Sequence, residues 1–409
     1  MDQEKKLFSA IIKDTIYGTC HKDIGKLLEN KLDWARFKNL TIYHELTPFV
    51  YFSLKNFTIY IPDDLQEFFK KTYYFAIAHC HNLWGEFLRI LTAFEQTGII
   101  LLPLKGIALL EDLYQDKPVR PMIDMDLLVK REDLKKAEGV LYDLGYQKKI
   151  DGLKEEYWLE KQCHIEFCGG AKRSFLLDLH WSLDFKRKGR YILPELWNRT
   201  RDINVDSRKI KVLSPEDTLF SLALHNRRFG NTLSLKNVYD VALLLHRYSH
   251  SFDWDYCLDM SRKYSLCASL FFILYQAEFL VEIKVPQKVR SELGLSTLKK
   301  KNIQNFIEKN SFPVKDEVIS NKNLYLKSHF LLYDSLWEPI EYILNIPKEQ
   351  FAKYYGLKSY TKKTNVLYNL RFIYIPFKAI SHLIKRREPE CMEDLSMFKR
   401  VDDDLWQGC

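Results

Sequence analysis

The stretch that decides the fold reads Leu104-Lys105-Gly106, then Arg120, then Ile123-Asp124-Met125-Asp126-Leu127-Leu128-Val129. A Lys-Gly turn opens a helix-patterned segment at 107–114, and a β-patterned segment then carries two aspartates two residues apart. On a strand, residues i and i+2 share one face. Asp124 and Asp126 therefore stand side by side, roughly 6–7 Å apart, from two rises of about 3.3 Å. Two bare carboxylates at that distance repel by about 2–3 kcal/mol at an effective dielectric of about 20. A divalent cation between them reverses the sign, so this pattern points to metal.

Working outward, residues 1–95 carry apolar side chains at three- and four-residue spacing and read as helical. Gly98 closes that region, and the apolar run 99–104 suits a buried strand. After the aspartates, 132–144 reads as an amphipathic helix ended by Gly145. Two β-like runs, 162–167 and 175–181, flank Gly169-Gly170-Ala171-Lys172-Arg173, a hairpin signal. Ser214-Pro215-Glu216-Asp217 is a helix start, with an N-cap serine, a proline at the first helical position and acids in the first turn. A further helix is expected at 235–248, and helical patterns run on to about Ile307. The expected fold class is α+β: a small mixed-sheet core flanked by N- and C-terminal helical regions. The expected divisions are a helical region 1–95, an α/β core 96–200, a helical domain 201–310 and a mixed, basic region 311–409.

A hydrophobic share of 46% with 28% charged residues marks a folded chain and excludes a disordered one. The net charge of +8 suits an anionic ligand without indicating nucleic acid. The eight cysteines have no regular spacing, and the amino terminus lacks the apolar core of a signal peptide. Free thiols in a reducing cytoplasm are the expectation. Cys163, His164, Cys168 and His180 match no standard zinc-ligand spacing, so no zinc set is expected of them. No apolar run reaches the roughly 18–20 residues of a spanning helix. Basic residues between Lys362 and Arg387, interleaved with Phe372, Ile373, Tyr374, Ile375 and Phe377, fit a solvated face best, with peripheral contact to an anionic membrane or the holding of a polyanionic acceptor as the alternatives.

A two-metal site for phosphoryl-type transfer needs a third carboxylate on a neighbouring strand. Asp178, in Leu176-Leu177-Asp178-Leu179-His180-Trp181, is the natural one. In such a site the third carboxylate can also take the proton of the attacking hydroxyl. Gly106 permits a tight turn, and the amides opening the next helix would face the β- and γ-phosphates. Lys105 adds a cation, and Arg120 a second if its loop folds back. Arg120 has another reading, a structural pair with Asp124 or Asp126. His225 could meet base or ribose, or hydrogen-bond Asp240 across a helix pair.

Leu104-Lys105-Gly106, Leu109, Tyr114, Arg120 and Asp124-Met125-Asp126-Leu127-Leu128-Val129 together resemble the DNA polymerase beta-type nucleotidyltransferase superfamily. More narrowly, they resemble a bacterial family of uncharacterised nucleotidyltransferases, whose motifs read Leu-Lys-Gly, Arg-x-x-x-Asp-x-Asp-Leu-Leu-Val and Asp-Leu-His-Trp. The last is present as Asp178-Leu179-His180-Trp181. His225, the run from Asp240 to Leu245 and Asp253-Trp254 fit that family's helical part. The resemblance spans residues 35–260 and is specific within 100–182.

It implies metal-dependent transfer of a nucleoside monophosphate from an NTP, with Mg²⁺ or Mn²⁺. Asp124, Asp126 and Asp178 map onto the metal carboxylates and Lys105-Gly106 onto the phosphate-binding turn. Where the superfamily usually has Gly-Gly or Gly-Ser, this chain has Gly106-Ile107-Ala108, so Lys105 is expected to take over the hydroxyl's phosphate contact. The acceptor is expected to be a small molecule, glycan precursor or peptide. The alternatives are a toxin-like enzyme modifying tRNA or protein, and a catalytically silent binding module; the three retained carboxylates argue against the last. The sequence does not choose the NTP or an oligomeric state.

Overall fold

A computed structural model describes residues 2–57, 60–114, 120–149, 159, 162–170, 174–184, 194–205, 208–229, 234–312, 327–328, 330–344, 348, 351–352, 355–358 and 361–375. The chain forms two compact units, residues 1–338 and 339–409. The first opens with five helices: α1 (Gln3–Tyr17), α2 (His21–Leu28), α3 (Trp34–Tyr43), α4 (Thr47–Leu54) and the long α5 (Asp63–Gln96). Asp2 caps α1 by accepting from the amide of Lys5, and Asp33 caps α3 by accepting from Arg36. Gly85 does not interrupt α5.

The α+β core follows: β1 (Leu102–Leu104), α6 (Lys105–Leu113), β2 (Asp124–Leu128), α7 (Leu134–Asp143), β3 (Tyr146–Lys149), β4 (His164–Gly169) and β5 (Phe175–His180). These strands form one mixed sheet in the order β1-β2-β5-β4-β3, with β2 and β5 parallel and the other pairs antiparallel. The expected hairpin is present as β4–β5, although its turn residues 171–173 lie outside those described. Gly169 is needed there, because a Cβ would stand 2.4 Å from the carbonyl oxygen of Gly145 and 2.6 Å from Cα of Tyr146.

Alternation gives the sheet two unlike faces. Met125, Leu127, Ile165, Phe167, Leu177 and Leu179 point to a core shared with α5 and α7. On the other face Leu102, Leu104 and Leu128 join the larger helical core. That face also carries the aspartates. A second sheet, β6 (Arg201–Val205) with β7 (Arg208–Val212), is a hairpin the sequence reading did not foresee, although Ile203, Val205, Ile210 and Val212 alternate as buried strands do.

The helices resume as expected with α8 (Pro215–Phe229), α9 (Leu235–Tyr248), α10 (Trp254–Lys263), α11 (Cys267–Val281), α12 (Gln287–Glu292) and α13 (Thr297–Lys309). Ser214 opens α8 by accepting from the amide of Asp217. Among the described residues no helix is long and apolar enough to cross a membrane. In the second unit, Lys362–Asn369 is helical, and Val366, Leu370, Phe372 and Ile373 are exposed. Phe377, Lys378, Lys385, Arg386 and Arg387 of the basic segment lie outside the described residues.

Candidate active site

The site begins where β1 turns into α6. Leu104 is extended (φ −111°, ψ 159°), and the next residue, Lys105, has φ +43°. A non-glycine residue there is strained, and such strain persists where surrounding contacts fix it. The contacts are visible. Lys105 Nζ lies 2.7 Å from Oδ1 of Asp126 and 3.2 Å from Nδ1 of His225 on α8. Leu104 supplies no side-chain cap, so the first amides of α6 are left to other acceptors.

Gly106 has a different role from the one its sequence position suggested. The left-handed residue of the turn is Lys105, and Gly106 lies buried in the first turn of α6. A Cβ on it would meet Met122 Sδ at 3.0 Å and Arg120 Nη1 at 3.2 Å. The glycine lets the α6 backbone approach these two side chains.

Asp126 and Asp178 are register partners across β2 and β5, and Glu166 on β4 is the next in the same row. Asp126 is buried, Asp178 half-buried, and Asp124 exposed at the first position of β2. Burial opposes the Asp126 charge, but the Lys105 ammonium and then His180 outweigh it and hold its carboxyl well below the usual range. Solvent reaches Asp124, yet the protein mass around it, with the Asp126 charge adding, raises its carboxyl above the ordinary value. The two aspartates are thus driven apart in opposite directions.

Two histidines hold the carboxylates from behind. His180 Nε2 lies 2.9 Å from Oδ1 of Asp126, and His164 Nε2 lies 3.4 Å from Oδ2 of Asp178. Their rings stack with centroids 4.9 Å apart, and Cys163 Sγ is 3.5 Å from Nδ1 of His164. Donor atoms of Asp126, Asp178 and His180 lie within 4.8 Å of one another, as do those of His164, Glu166 and Asp178. Asp124 belongs to neither group. Paired carboxylate oxygens on adjacent strands suit a hard cation such as Mg²⁺ or Mn²⁺.

The structure therefore gathers Lys105, Asp126, Asp178 and His225 in one place, with Asp124 on the same strand face. Arg120 is committed elsewhere: Nε and Nη2 bond both carboxylate oxygens of Asp240 on α9, at 2.7–3.1 Å. Tyr114 adds a 2.6 Å hydrogen bond to the same aspartate. Arg120 thus pairs with neither Asp124 nor Asp126. His225 meets Lys105 rather than Asp240. Sequence reasoning weighed His164 and His180 only within a zinc set it did not expect, missed Glu166, and weighed Asp240 only as a partner for His225. The facing patterns His164-x-Glu166 and Asp178-x-His180 were the available signal for the first three.

Residues 30–282 match the family described as uncharacterised nucleotidyltransferase. No curated protein matches the chain. Among solved structures, the lincosamide antibiotic adenylyltransferase LnuA with lincomycin bound is 19% identical, over 39% of this chain and 94% of its own, with a TM-score of 0.29. ANT(2″)-Ia in complex with adenylyl-2″-tobramycin is 14% identical over 45% and 97% of the two chains, with a TM-score of 0.33. An antigenic nucleotidyltransferase-like protein from Paracoccidioides brasiliensis is 14% identical over 50% and 94%, with a TM-score of 0.32.

Proposed function

This chain belongs to the uncharacterised nucleotidyltransferase family, and from that premise we propose that it moves a nucleoside monophosphate from an NTP to an acceptor hydroxyl or phosphate. The observation that supports this best is the pairing of Asp126 with Asp178 on parallel neighbouring strands, with Lys105 against Asp126 at the start of α6. In this reading Asp124, Asp126 and Asp178 would hold Mg²⁺ or Mn²⁺. Bound there, the cation would offset the triphosphate charge and make the acceptor hydroxyl more acidic.

The chain's own residues supply the rest. The acceptor oxygen forms a bond to the α-phosphorus, the bond to the pyrophosphate oxygen breaks, and the acceptor proton passes to Asp178. The uncapped amides of α6 and the Lys105 ammonium face the departing phosphates. His225 holds that ammonium in place through Nδ1 and has its ring at hand for ribose or base. The Arg120–Asp240 pair ties the segment before β2 to α9 and so positions the carboxylates. A reducing, NTP-rich cytoplasm accords with the free cysteines found among the described residues.

The test is incubation of the pure protein with Mg²⁺ or Mn²⁺, each α-labelled NTP and a cell extract as acceptor source. Label transfer that vanishes in the Asp124→Asn, Asp126→Asn double variant is the expected result. An absence of both transfer and calorimetric NTP binding overturns the reading. The labelled product names the acceptor class: a small molecule, glycan precursor or peptide is expected, and tRNA or protein is the competing outcome.

A further inference from the structure

Behind the carboxylates lies a second group of donors. Cys163, His164 and His180 are all buried, and their ligating atoms lie within 4.8 Å of one another. Strand pairing builds this group. The amides of Trp181 and Ser182 both donate to the carbonyl of Cys163, which seats the cysteine opposite the residues that follow His180. His164 and His180 are themselves register partners on β4 and β5.

The orientation of the two imidazoles is what a metal would require. Nε2 of His180 is on Asp126 and Nε2 of His164 is on Asp178, so in each ring Nδ1 is the nitrogen on the side away from the carboxylate. In His164 that nitrogen lies 3.5 Å from Cys163 Sγ; in His180 it lies 3.4 Å from the carbonyl oxygen of Ser182. Metal-bound histidines characteristically give their second nitrogen to a carboxylate, which fixes the tautomer and the ring plane. Here both do so. One thiol and two imidazoles are a borderline-soft donor set that selects Zn²⁺ or a similar transition ion over Mg²⁺.

We propose that Cys163, His164 and His180 form a binding site for a zinc-class divalent cation, distinct in its donors from the oxygen site of Asp126 and Asp178. The cysteine binds as thiolate, releasing its proton to solvent. Because His180 and His164 each bridge to a catalytic carboxylate, an ion here fixes the orientation of both aspartates. Cys168 has no part in it: its Sγ lies 2.9 Å from Oγ of Ser174 at the other end of β4.

The site is tested without nucleotide, so its failure leaves the transfer reading untouched. Full-length protein stripped with chelator is titrated with Zn²⁺ by calorimetry and, separately, with Co²⁺ followed by near-ultraviolet absorption. One Zn²⁺ per chain is expected, not displaced by millimolar Mg²⁺, together with a thiolate-to-cobalt charge-transfer band. Cys163→Ser should abolish the band and weaken Zn²⁺ binding by at least the roughly hundredfold that loss of an outer-shell partner can cost, while Cys168→Ser binds as the parent does. Circular dichroism of the apo variants confirms that each is folded. Zn²⁺ binding that survives Cys163→Ser but is lost in Asp178→Asn would put the ion on the carboxylates and overturn the proposal. So would Co²⁺ binding without the thiolate band, or no Zn²⁺ binding at all.

Discussion

Lys105 Nζ and Asp126 Oδ1 form a 2.7 Å ion pair that puts an ammonium between the strand–helix turn and the carboxylates of β2. The lysine side chain is 10% exposed and the aspartate 7%, so neither charge is well solvated. The ammonium already does for Asp126 part of what a divalent cation would do.

Replacing Lys105 with Met removes that charge while keeping a flexible side chain at the same strained backbone position. Breaking a buried pair from one side costs about 3–5 kcal/mol, and the remaining His180 contact puts this case near about 3 kcal/mol. A cation bound at the carboxylates should recover much of the loss. Millimolar Mg²⁺ is therefore expected to raise the melting temperature of Lys105→Met more than that of the parent protein. Equal responses in thermal denaturation would show that the lysine does not stand in for a metal.

The backbone at Lys105 gives a second test. Its φ of +43° disfavours any residue with a Cβ and suits glycine. Lys105→Gly is expected to be more stable than Lys105→Ala by about 1 kcal/mol, read from urea denaturation midpoints. Both lose the ammonium, so both should bind NTP more weakly to the same extent. A glycine variant no more stable than the alanine variant would show that the turn carries no strain at this residue.

Arg120 and Asp240 test positioning apart from chemistry. Burial opposes the Arg120 charge, but Asp240 outweighs it and raises the guanidinium above its ordinary value. Asp240→Asn is expected to cost about 3–5 kcal/mol of stability by leaving that charge uncompensated. Arg120→Lys should not restore a stable protein, because a point ammonium cannot reproduce the bidentate fork. Denaturation midpoints of the two variants check both statements; a stable Arg120→Lys protein would mean that the fork is dispensable.

These tests follow the line between what the sequence disclosed and what it concealed. The carboxylates were legible because their signals are local: strand alternation placed Asp124 and Asp126 on one face, and the glycine hairpin signal put Asp178 on a strand able to pair beside them. The Ser214 cap and Gly145 turn were equally local signals. The Arg120–Asp240 pair was not legible, since its partners are 120 residues apart and meet through the packing of α9. Nor was the strain at Lys105, because lysine carries no mark of a left-handed turn and Gly106 beside it drew the assignment. Cys163, His164 and His180 were set aside in the sequence for a third reason. Their sequence spacing fits no single metal-binding loop; the pairing of β4 with β5 is what makes them neighbours.

Asp124 and Asp126 separate function from stability most sharply. Asp126 has a depressed carboxyl, so its ionised form stabilises the fold at all pH values above the unfolded value of about 3.9. That contribution is lost as pH falls below about 4, through the lower folded value. Asp124 has a raised carboxyl, so its charge works against the fold at neutral pH, and protonation relieves it. Asp126→Asn should therefore lower the melting temperature at pH 7, with the deficit closing as pH drops below about 4. Asp124→Asn should melt at or above the parent temperature at pH 7. Both should lose transfer activity by roughly a thousandfold, the equivalent of about 4 kcal/mol of transition-state charge stabilisation. The measurement is thermal denaturation from pH 7 to about pH 3, beside label transfer at pH 7. An Asp124→Asn protein as unstable as Asp126→Asn would mean that the first aspartate is held by contacts, not kept exposed for a cation.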